Sequence, residues 1–341
     1  MTLVLLCATG FALSAVLTGA VRRYAITRQV LDVPNPRSSH TIPTPRGGGV
    51  AIVVVFLASL TLARATLAVP AHALVAVVGS GIAMAVLGFL DDHRPIPAGW
   101  RLLCHFAGAA WALVWLGNPW IAHVFGPASW LEWPVRVLSA FGLVWLLNLY
   151  NFMDGIDGIA SLEAITVSMA AAILWFVAHP SGAWPVPLLL AACTAGFLVW
   201  NFPPARIFMG DAGSSFLGMA FGVLALVAAV DDSRMLWAWG ILLGAFIVDA
   251  TVTLVRRLMR RERVHQAHRS HAYQYASRKH GGHRPVTLVV AGINSLWLFP
   301  MAATVVLGWL PGPLAVALAY FPLVLLAVRY KAGACEQQES A

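Results

Sequence analysis

The chain has 341 residues, of which 60% are hydrophobic and 11% charged, whereas a soluble domain usually carries about 25% charged residues. Its net charge of +8 would suit a nucleic-acid-binding protein, but the basic residues lie in loops between long apolar stretches, which excludes that class. Four scattered cysteines fit neither a disulfide framework nor a metal site with regular ligand spacing. We therefore predict one all-α membrane domain over residues 1–341.

Eleven apolar segments are candidates for transmembrane helices, because a bilayer core needs about 20 apolar residues per helix. In chain order they are 2–21, 49–67, 70–90, 101–116, 134–150, 158–178, 184–201, 214–230, 235–256, 286–308 and 312–329. The first is not predicted to be a cleaved signal peptide, since its basic residues follow the apolar stretch. The chain is thus predicted to be polytopic, with ten to eleven spans.

Lysine and arginine set the predicted orientation. The connections that fall on one side, together with the C-terminus, are 22–48, 91–100, 151–157, 202–213 and 257–285. With the adjoining helix ends they hold all of the 22 Lys and Arg except Arg64, Arg136 and Arg234. Because positive charge stays in the cytoplasm, we predict a periplasmic N-terminus, a cytoplasmic C-terminus and these five loops in the cytoplasm.

The first cytoplasmic loop is dense in proline and glycine, which predicts a rigid, extended segment with exposed hydrogen-bond donors. Three of its basic residues are candidates to contact a phosphate, namely Arg37, His40 and Arg46. Retention of positive charge in the cytoplasm explains the arginines equally well. This loop alone therefore does not decide the function.

Two adjacent acids, Asp91 and Asp92, follow the third apolar segment. A helix C-terminus disfavours anions by a few tenths to ~1 kcal/mol, and neighbouring carboxylates repel each other unless a cation lies between them. A solvated loop start is the plain alternative. The functional interpretation is metal binding or catalysis.

After the fifth segment, Asn151, Asp154 and Asp157 recur at three-residue intervals. The spacing places them on one helical face, whereas the intervening glycines favour a loop in which Asp157 caps the next helix. Oxygen ligands with few His or Cys nearby favour Mg²⁺.

A run of small residues around Asp211 opens the eighth segment, after Phe208. Small residues at a helix N-terminus leave backbone N–H groups free to meet a phosphate. Asp211 is then either an ordinary helix cap or an acid whose metal bridges to that phosphate.

The last cytoplasmic loop carries His265, His268 and His271 at three-residue spacing, with Arg269 between them. Histidines at this spacing could bind zinc, but the surrounding arginines disfavour a cation at this place. We favour contacts from His, Arg and Ser to a pyrophosphate; a solvated basic loop is the alternative.

Three further polar residues receive simpler assignments. His280 and His283 are predicted to be surface residues. Asp249, inside the ninth segment, is predicted to orient a nearby Arg or Lys, although buried acids in membrane spans are functional by default.

The acidic motifs and the His/Arg loop all map to one membrane face, and metal-binding acids beside phosphate-binding cations are the parts of a phosphoryl-transfer site. Two rival classes stay open. An intramembrane aromatic prenyltransferase also uses Asp-rich loops and Mg²⁺, but in two paired motifs and without a His/Arg loop. A transporter would need acids near the middle of the membrane.

The motifs Gly-Phe-Leu-Asp91-Asp92, Asn151-x-x-Asp154-Gly-x-Asp157-Gly, Phe208-Met-Gly-Asp211-x-Gly-Ser and the histidine loop, in that order, resemble the polyprenyl-phosphate N-acetylhexosamine-1-phosphate transferase superfamily. The resemblance runs from Asp32 to Gln274. Two positions depart from the family pattern, namely Pro95, where relatives often have an acid or Lys, and His105, where Gln is usual.

The resemblance implies a role for each matching residue. Asp211 would bind Mg²⁺, with Asp91 and Asp92 as essential acids near the metal and the lipid phosphate and Asp92 as a second metal ligand. Asn151 and Asp154 would line the pyrophosphate region, and Asp157 and Phe208 would hold uracil. His268, Arg269 and His271 would contact the diphosphate or the sugar.

The resemblance also implies the partners. The donor would be a UDP-N-acetylhexosamine of the GlcNAc, FucNAc or QuiNAc type, and the acceptor undecaprenyl phosphate. Mn²⁺ is expected to substitute for Mg²⁺, and a homodimer is expected. Pro-Asn-Pro-Arg37-Ser-Ser-His40 and the histidine loop resemble the branch that initiates O-antigen or related surface polysaccharide in the bacterial inner membrane, with the active site facing the cytoplasm.

Overall fold

The computed structural model describes residues 2–34, 39–126, 129–262 and 268–334, and it is almost wholly helical there. The first eight helices are α1 (Thr2–Thr27), α2 (Val50–Leu62), α3 (Ala71–His93), α4 (Ala98–Leu116), α5 (Pro119–Phe125), α6 (Glu132–Met153), α7 (Ile159–Ala178) and α8 (Pro185–Asn201). The remaining helices are α9 (Asp211–Asp231), α10 (Arg234–Leu242), α11 (Gly244–Met259), α12 (Ala272–Lys279), α13 (His283–Ile293), α14 (Phe299–Val306) and α15 (Gly312–Arg329). A π-helical turn, Asn294–Leu298, joins α13 to α14.

Within the described residues, seven helices are long and apolar enough to cross a membrane, which confirms the prediction of an all-α polytopic membrane protein. They are α1, α3, α6, α7, α9, the α13–α14 run and α15. Helices α10 and α11, bent by 68° at their junction, would form an eighth span. Each predicted apolar segment coincides with a helix, so the difference from ten to eleven spans lies in α4, which carries Arg101 and His105, and in α2 and α8, which are shorter.

Helix α9 is the central helix of the molecule, since its residues from Ala212 to Ala229 are buried. Glycines let the neighbouring helices approach its backbone closely. A Cβ atom added to Gly88 of α3 would lie 2.4 Å from the Asp211 carbonyl carbon, and one added to Gly218 of α9 would lie 2.5 Å from the Leu147 Cα of α6. The end of α3 is therefore pressed against the beginning of α9.

The first loop is anchored by backbone hydrogen bonds. Strands β1 (Leu31–Asp32) and β2 (Thr44–Pro45) pair antiparallel. The Phe208 N–H donates to the Pro45 carbonyl at 2.8 Å, and the Gly48 N–H donates to the Phe208 carbonyl at 2.9 Å. The predicted extended loop is thus fixed against the segment that leads into α9.

Candidate active site at the ends of α3, α6 and α9

A polar cavity of about 760 Å³ lies where the five predicted cytoplasmic loops meet. Each loop contributes at least one predicted site residue to its lining: His40, Arg46, Asp92, Asn151, Asp154, Asp157, Phe208, Asp211 and His268. Residues more than 200 positions apart in the chain thus share one cavity at one end of the helices. Which membrane face this end occupies stays a prediction.

Asp92 and Asp211 form the centre of the cavity. Asp211 is the first residue of α9, and Asp92 lies in the last turn of α3 with 4% of its surface exposed. The Asp211 N–H lies 3.3 Å from Asp92 Oδ1 and donates to it. Asn151 Nδ2 donates to Asp211 Oδ1 at 2.9 Å and fixes the orientation of that carboxylate.

Two arginines lie beside these acids. Arg46 Nε is 3.8 Å from Asp92 Oδ1, and Arg46 also donates to the Asp92 carbonyl. Arg101 Nη1 is 2.5 Å from Asp91 Oδ2 and 3.6 Å from Asp211 Oδ2. The two guanidinium groups reduce the repulsion between the carboxylates, and Asp92 and Asp211 still line the cavity.

Asp91 faces away from the large cavity. Its Oδ1 accepts a hydrogen bond from the Ile96 N–H at 2.6 Å, and its Oδ2 holds Arg101. It lines a small pocket with His105 and Asn148 instead. Its contacts make Asp91 a residue that positions Arg101, while Asp92 reaches the cavity itself.

Asp154 is the C-cap residue of α6. Burial, followed by the charges of Asp211, Asp92 and Asp157, raises the pKa of Asp154 well above its ordinary value. Burial is the larger cause, and an excess of negative charge at this end of the cavity adds to it. A divalent cation would relieve that excess.

The carboxylate oxygens of Asp92 and Asp211 are the donors that this end of the cavity offers to Mg²⁺. Asp92 Oδ2 is buried and accepts no hydrogen bond within the described part of the chain, and it lies 2.5 Å from where a Cβ of Gly210 would stand. Among the described residues, no three His, Cys, Asp or Glu side chains form a ready metal cage. Mg²⁺ is usually bound through one or two carboxylates plus substrate phosphates and waters, so Asp92 and Asp211 fit that ion.

His283 is a cavity residue that the sequence did not predict. Its Nδ1 is 3.2 Å from Asp157 Oδ1, and its Nε2 donates to the Ser39 carbonyl at 3.0 Å. The prediction that His283 is a surface residue is therefore wrong. Its place at the cytoplasmic end of a predicted span was the one available signal, but no spacing pairs it with an acid 126 positions away.

Asp157 does not cap a helix. Helix α7 begins at Ile159 with Gly158 as its N-cap, and no side chain in the described part of the chain caps it. The Ala205 N–H donates to Asp157 Oδ2 at 3.0 Å, while Oδ1 faces His283. The capping alternative is wrong, and Asp157 is held by two separate loops at the cavity wall.

Aromatic surface is provided by Phe208. The His40 ring packs against it edge to face, with the ring centroids 4.9 Å apart. His40 Nε2 in turn donates to the Asp32 carbonyl at 3.3 Å. The first loop thus supports the wall of the cavity that carries Phe208.

His268 is a neutral imidazole. Burial, followed by the His271 and Arg257 side chains, lowers the pKa of His268 to about 3. Its Nδ1 accepts a hydrogen bond from the Ser270 N–H at 3.4 Å and lies 2.9 Å from the Ser270 hydroxyl, which leaves the ring proton on Nε2. His268 therefore offers the cavity a hydrogen-bond donor rather than a positive charge.

His271 lies behind His268 rather than on the cavity wall. It is buried, and its ring stacks on that of His268 at 4.9 Å. It is the N-cap of α12, in a capping box with Gln274. Its Nδ1 is 3.3 Å from Asp249 Oδ1.

Asp249 fixes the start of α12. Its carboxylate accepts hydrogen bonds from the Ala272 and Tyr273 N–H groups, each at 3.0 Å. The prediction that Asp249 orients a nearby Arg or Lys is wrong, since its carboxylate lies against the His271 ring instead. The Tyr273 hydroxyl then donates to the Phe152 carbonyl at 2.9 Å, which joins α12 to the end of α6.

Of the other predicted residues in the basic loops, the one that the structure describes does not line the cavity. Arg269 is half-buried and follows His268 directly, but it is not a lining residue. Arg37 and His265 lie outside the described residues.

The chain is similar to known proteins over most of its length. The family described as Glycosyl transferase family 4 matches residues 74–229, which include Asp91, Asp92, Asn151 and Asp211. A probable undecaprenyl-phosphate N-acetylglucosaminyl 1-phosphate transferase of Bacillus subtilis is 28% identical over 299 residues, covering 85% of this chain and 81% of the relative.

Two relatives named phospho-N-acetylmuramoyl-pentapeptide-transferase are also similar. The protein of Synechococcus sp. (strain JA-3-3Ab) is 31% identical over 274 residues, which is 71% of each chain. That of Moorella thermoacetica is 35% identical over 204 residues, covering 55% of this chain and 62% of the relative.

Proposed function

Since this chain belongs to glycosyl transferase family 4, the polyprenyl-phosphate N-acetylhexosamine-1-phosphate transferases, we propose that it transfers an N-acetylated hexosamine-1-phosphate from a UDP-sugar to undecaprenyl phosphate and releases UMP. Some of the relatives are named for transfer to undecaprenyl or decaprenyl phosphate. Membrane helices surround the site, as a lipid-bound acceptor requires.

The observation that carries the proposal is the convergence of Asp92, Asp154 and Asp211 with Arg46 in one polar cavity at the ends of membrane helices. Carboxylates for a metal and cations for phosphate are the parts that phosphoryl transfer needs, because its catalysis is mainly positioning and charge stabilisation. A prenyltransferase or a transporter would not need carboxylates for a metal together with a His/Arg loop for phosphate.

The proposed cofactor is Mg²⁺, with Mn²⁺ as a substitute, held by Asp211 and Asp92. When bound, it would neutralise charge on the donor diphosphate. Asn151 keeps the Asp211 carboxylate in place through its 2.9 Å hydrogen bond. Arg101, held by Asp91, adds positive charge beside Asp211.

In the proposed reaction an oxygen of the lipid phosphate attacks the sugar-side phosphorus of the donor. A new phosphoanhydride bond forms as the bond to UMP breaks, so no ATP is required. Asp92 is better placed than Asp91 to meet the lipid phosphate, because only Asp92 lines the cavity. Arg46 and the Nε2–H of His268 would donate to phosphate oxygens.

The nucleoside would be held at the wall formed by Asp157 and Phe208. The Phe208 ring offers a stacking surface, and Asp157 Oδ1 offers an acceptor to a base N–H. Both residues are fixed from behind, Phe208 by His40 and Asp157 by His283.

The acceptor's isoprenoid tail would lie along lipid-facing helices. An apolar groove of about 410 Å³ between α6, α9 and the α10–α11 bend begins near Leu149, two residues before Asn151. We assign the tail to this groove, because α6 leads from it directly to the carboxylates.

The finer assignments are also proposals. The first-loop and histidine-loop motifs support an initiating role in O-antigen or another envelope polysaccharide, with a donor of the GlcNAc, FucNAc or QuiNAc type. The distribution of Lys and Arg supports a site that faces the cytoplasm from the bacterial inner membrane. A homodimer is proposed from the family alone.

The test combines purified protein in detergent with undecaprenyl phosphate, Mg²⁺ and a panel of UDP-sugars, and follows the released nucleotide. UMP formation with at least one UDP-N-acetylhexosamine is expected. Release of pyrophosphate from a prenyl diphosphate would instead support a prenyltransferase. Flux across liposomes without nucleotide turnover would support a transporter.

A further inference from the structure

A second cavity, of about 480 Å³, lies between α11, α12, α13 and α15. Most of its lining is apolar, including Phe246, Val286, Val290 and Leu323. Helix α12 separates it from the polar cavity, because Gln274 lines the polar cavity whereas Tyr273 and Ala276 line the apolar one. It is therefore distinct from the site that holds the carboxylates.

The apolar cavity opens sideways between two membrane helices. Val289 of α13 and Leu326 of α15 both line it and are 60% and 38% exposed. Their neighbours on the outer surface, Leu288 and Leu325, are exposed hydrophobic residues as well. Since apolar cavities are not favourably filled by water, the expected occupant of a cavity open to the bilayer is a hydrocarbon chain.

One end of the cavity is polar and basic. His280 and Tyr330 line it there, with His280 Nε2 and the Tyr330 hydroxyl 3.1 Å apart. Lys279 Nζ lies 5.8 Å from the centre of the Tyr330 ring. Lys331 and Arg329 adjoin Tyr330 and are exposed. This basic rim, defined as Lys279, His280, Arg329 and Lys331, complements an anionic headgroup.

We propose that this cavity binds an acyl chain of an anionic phospholipid, with the phosphate at the basic rim. The polyprenyl phosphate acceptor is a poor fit, because its phosphate would lie at His280 and Tyr330, with α12 between it and Asp92. The lipid would pack against Asp249, which joins α11 to α12, and against Tyr273, whose hydroxyl joins α12 to the end of α6. Occupancy is therefore expected to support the arrangement of the active site.

The experiment measures retention of phospholipid directly. The full-length protein is exchanged into nanodiscs of phosphatidylcholine with or without an equal part of phosphatidylglycerol, extracted gently, and examined by native mass spectrometry. Lys279→Gln/Lys331→Gln should weaken retention of phosphatidylglycerol by about tenfold or more, the effect of removing two juxtamembrane cations. Val289→Trp should abolish retention by filling the mouth of the cavity.

Matched controls keep the result specific. Arg28→Gln/Arg94→Gln removes two other exposed cations, and Leu288→Trp adds the same bulk one residue away from the cavity; both should retain the lipid. Equal retention of phosphatidylcholine, or retention unchanged in Val289→Trp, would overturn the proposal. Displacement of the phospholipid by undecaprenyl phosphate in competition would assign the cavity to the acceptor. None of these readouts depends on UMP release.

Discussion

Asp211 enters the cavity from the N-terminus of α9, whereas Asp92 enters it from the C-terminus of α3. An acid in the first turn, as Asp211 is in α9, is stabilised by the helix dipole, whereas Asp92 in the last turn of α3 is not. Arg46 and the Asp211 N–H offset part of that cost. A buried carboxylate oxygen without a partner costs roughly 1–3 kcal/mol, which a bound cation would remove.

Asp211→Asn should therefore lower kcat/KM for UMP release by about a thousandfold or more, as expected when a group that stabilises transition-state charge is lost. Excess Mg²⁺ should not restore the rate. Asp232→Asn, which alters an acid paired with Arg234 at the other end of α9, serves as the control and should leave the rate near normal. Near-normal activity of Asp211→Asn would show that Asp211 does not hold a metal that the reaction requires.

His283→Gln should raise KM for the UDP-sugar about tenfold with little change in kcat, because His283 holds Asp157 at the proposed nucleoside wall and not at the reacting phosphorus. Steady-state kinetics at saturating acceptor measure this. His72→Gln, at an exposed histidine of α3, is the control. A fall in thermal stability with both kinetic constants unchanged would show that His283 has only a structural role.

The neutral state of His268 gives a prediction about pH. Its pKa of about 3 lies below the ordinary 6.5, so the folded state binds fewer protons than the unfolded state between these values. Stability conferred by the neutral ring is then lost as the pH falls below about 6.5. The melting temperature should fall more steeply from pH 7 to pH 5 in the wild type than in His268→Gln. Parallel curves would show that the ring is not kept neutral.

The sequence could predict the residues of the site that lie in short motifs, because Asp91–Asp92, Asn151–Asp157 and Phe208–Ser214 each carry their chemistry within one turn or loop. It could not predict which of two adjacent acids faces the cavity, since that depends on the rotation of α3 against α9. Nor could it pair His283 with Asp157 or Asp249 with His271, because those contacts join separate helices.

At the scale of elements, the packing of α3 on α9 determines the position of the carboxylates. Gly88 makes the contact possible, because a Cβ there would lie 2.4 to 2.5 Å from backbone atoms of Asp211 and Ala212. Backbone cannot move aside as a side chain can, so the helix would have to shift. The spacing between Asp92 and Asp211 thus depends on a residue with no chemistry of its own.

Gly88→Ala should lower stability by about 1–3 kcal/mol through overpacking and lower the rate by about a hundredfold through displacement of Asp211. Thermal unfolding and UMP release measure the two effects separately. Gly292→Ala in α13, where an added Cβ meets no atom within 4 Å, is the matched control and should be neutral or slightly stabilising. Equal activity of the two variants would mean that the close approach does not position Asp211.

At the scale of the whole molecule, hydropathy was sufficient to place the helices but not to count the spans. Helices α2 and α8 are apolar but shorter than a membrane span. The apolar stretches in the sequence do not show where such a helix ends. Charge was more informative than hydropathy about the site. The loops that Lys and Arg assigned to one side are the loops whose residues line the polar cavity.

As proposed above, Asp92 and Asp211 would hold one divalent cation, which would neutralise charge on the diphosphate of the donor. Substitution of Mn²⁺ and measurement of ³¹P couplings by electron–nuclear double resonance test it directly. We expect a bound Mn²⁺ whose phosphorus couplings appear when a UDP-sugar is added and disappear in Asp211→Asn. Couplings that persist unchanged in Asp211→Asn, or a Mn²⁺ signal that never senses phosphorus in the wild type, would contradict it.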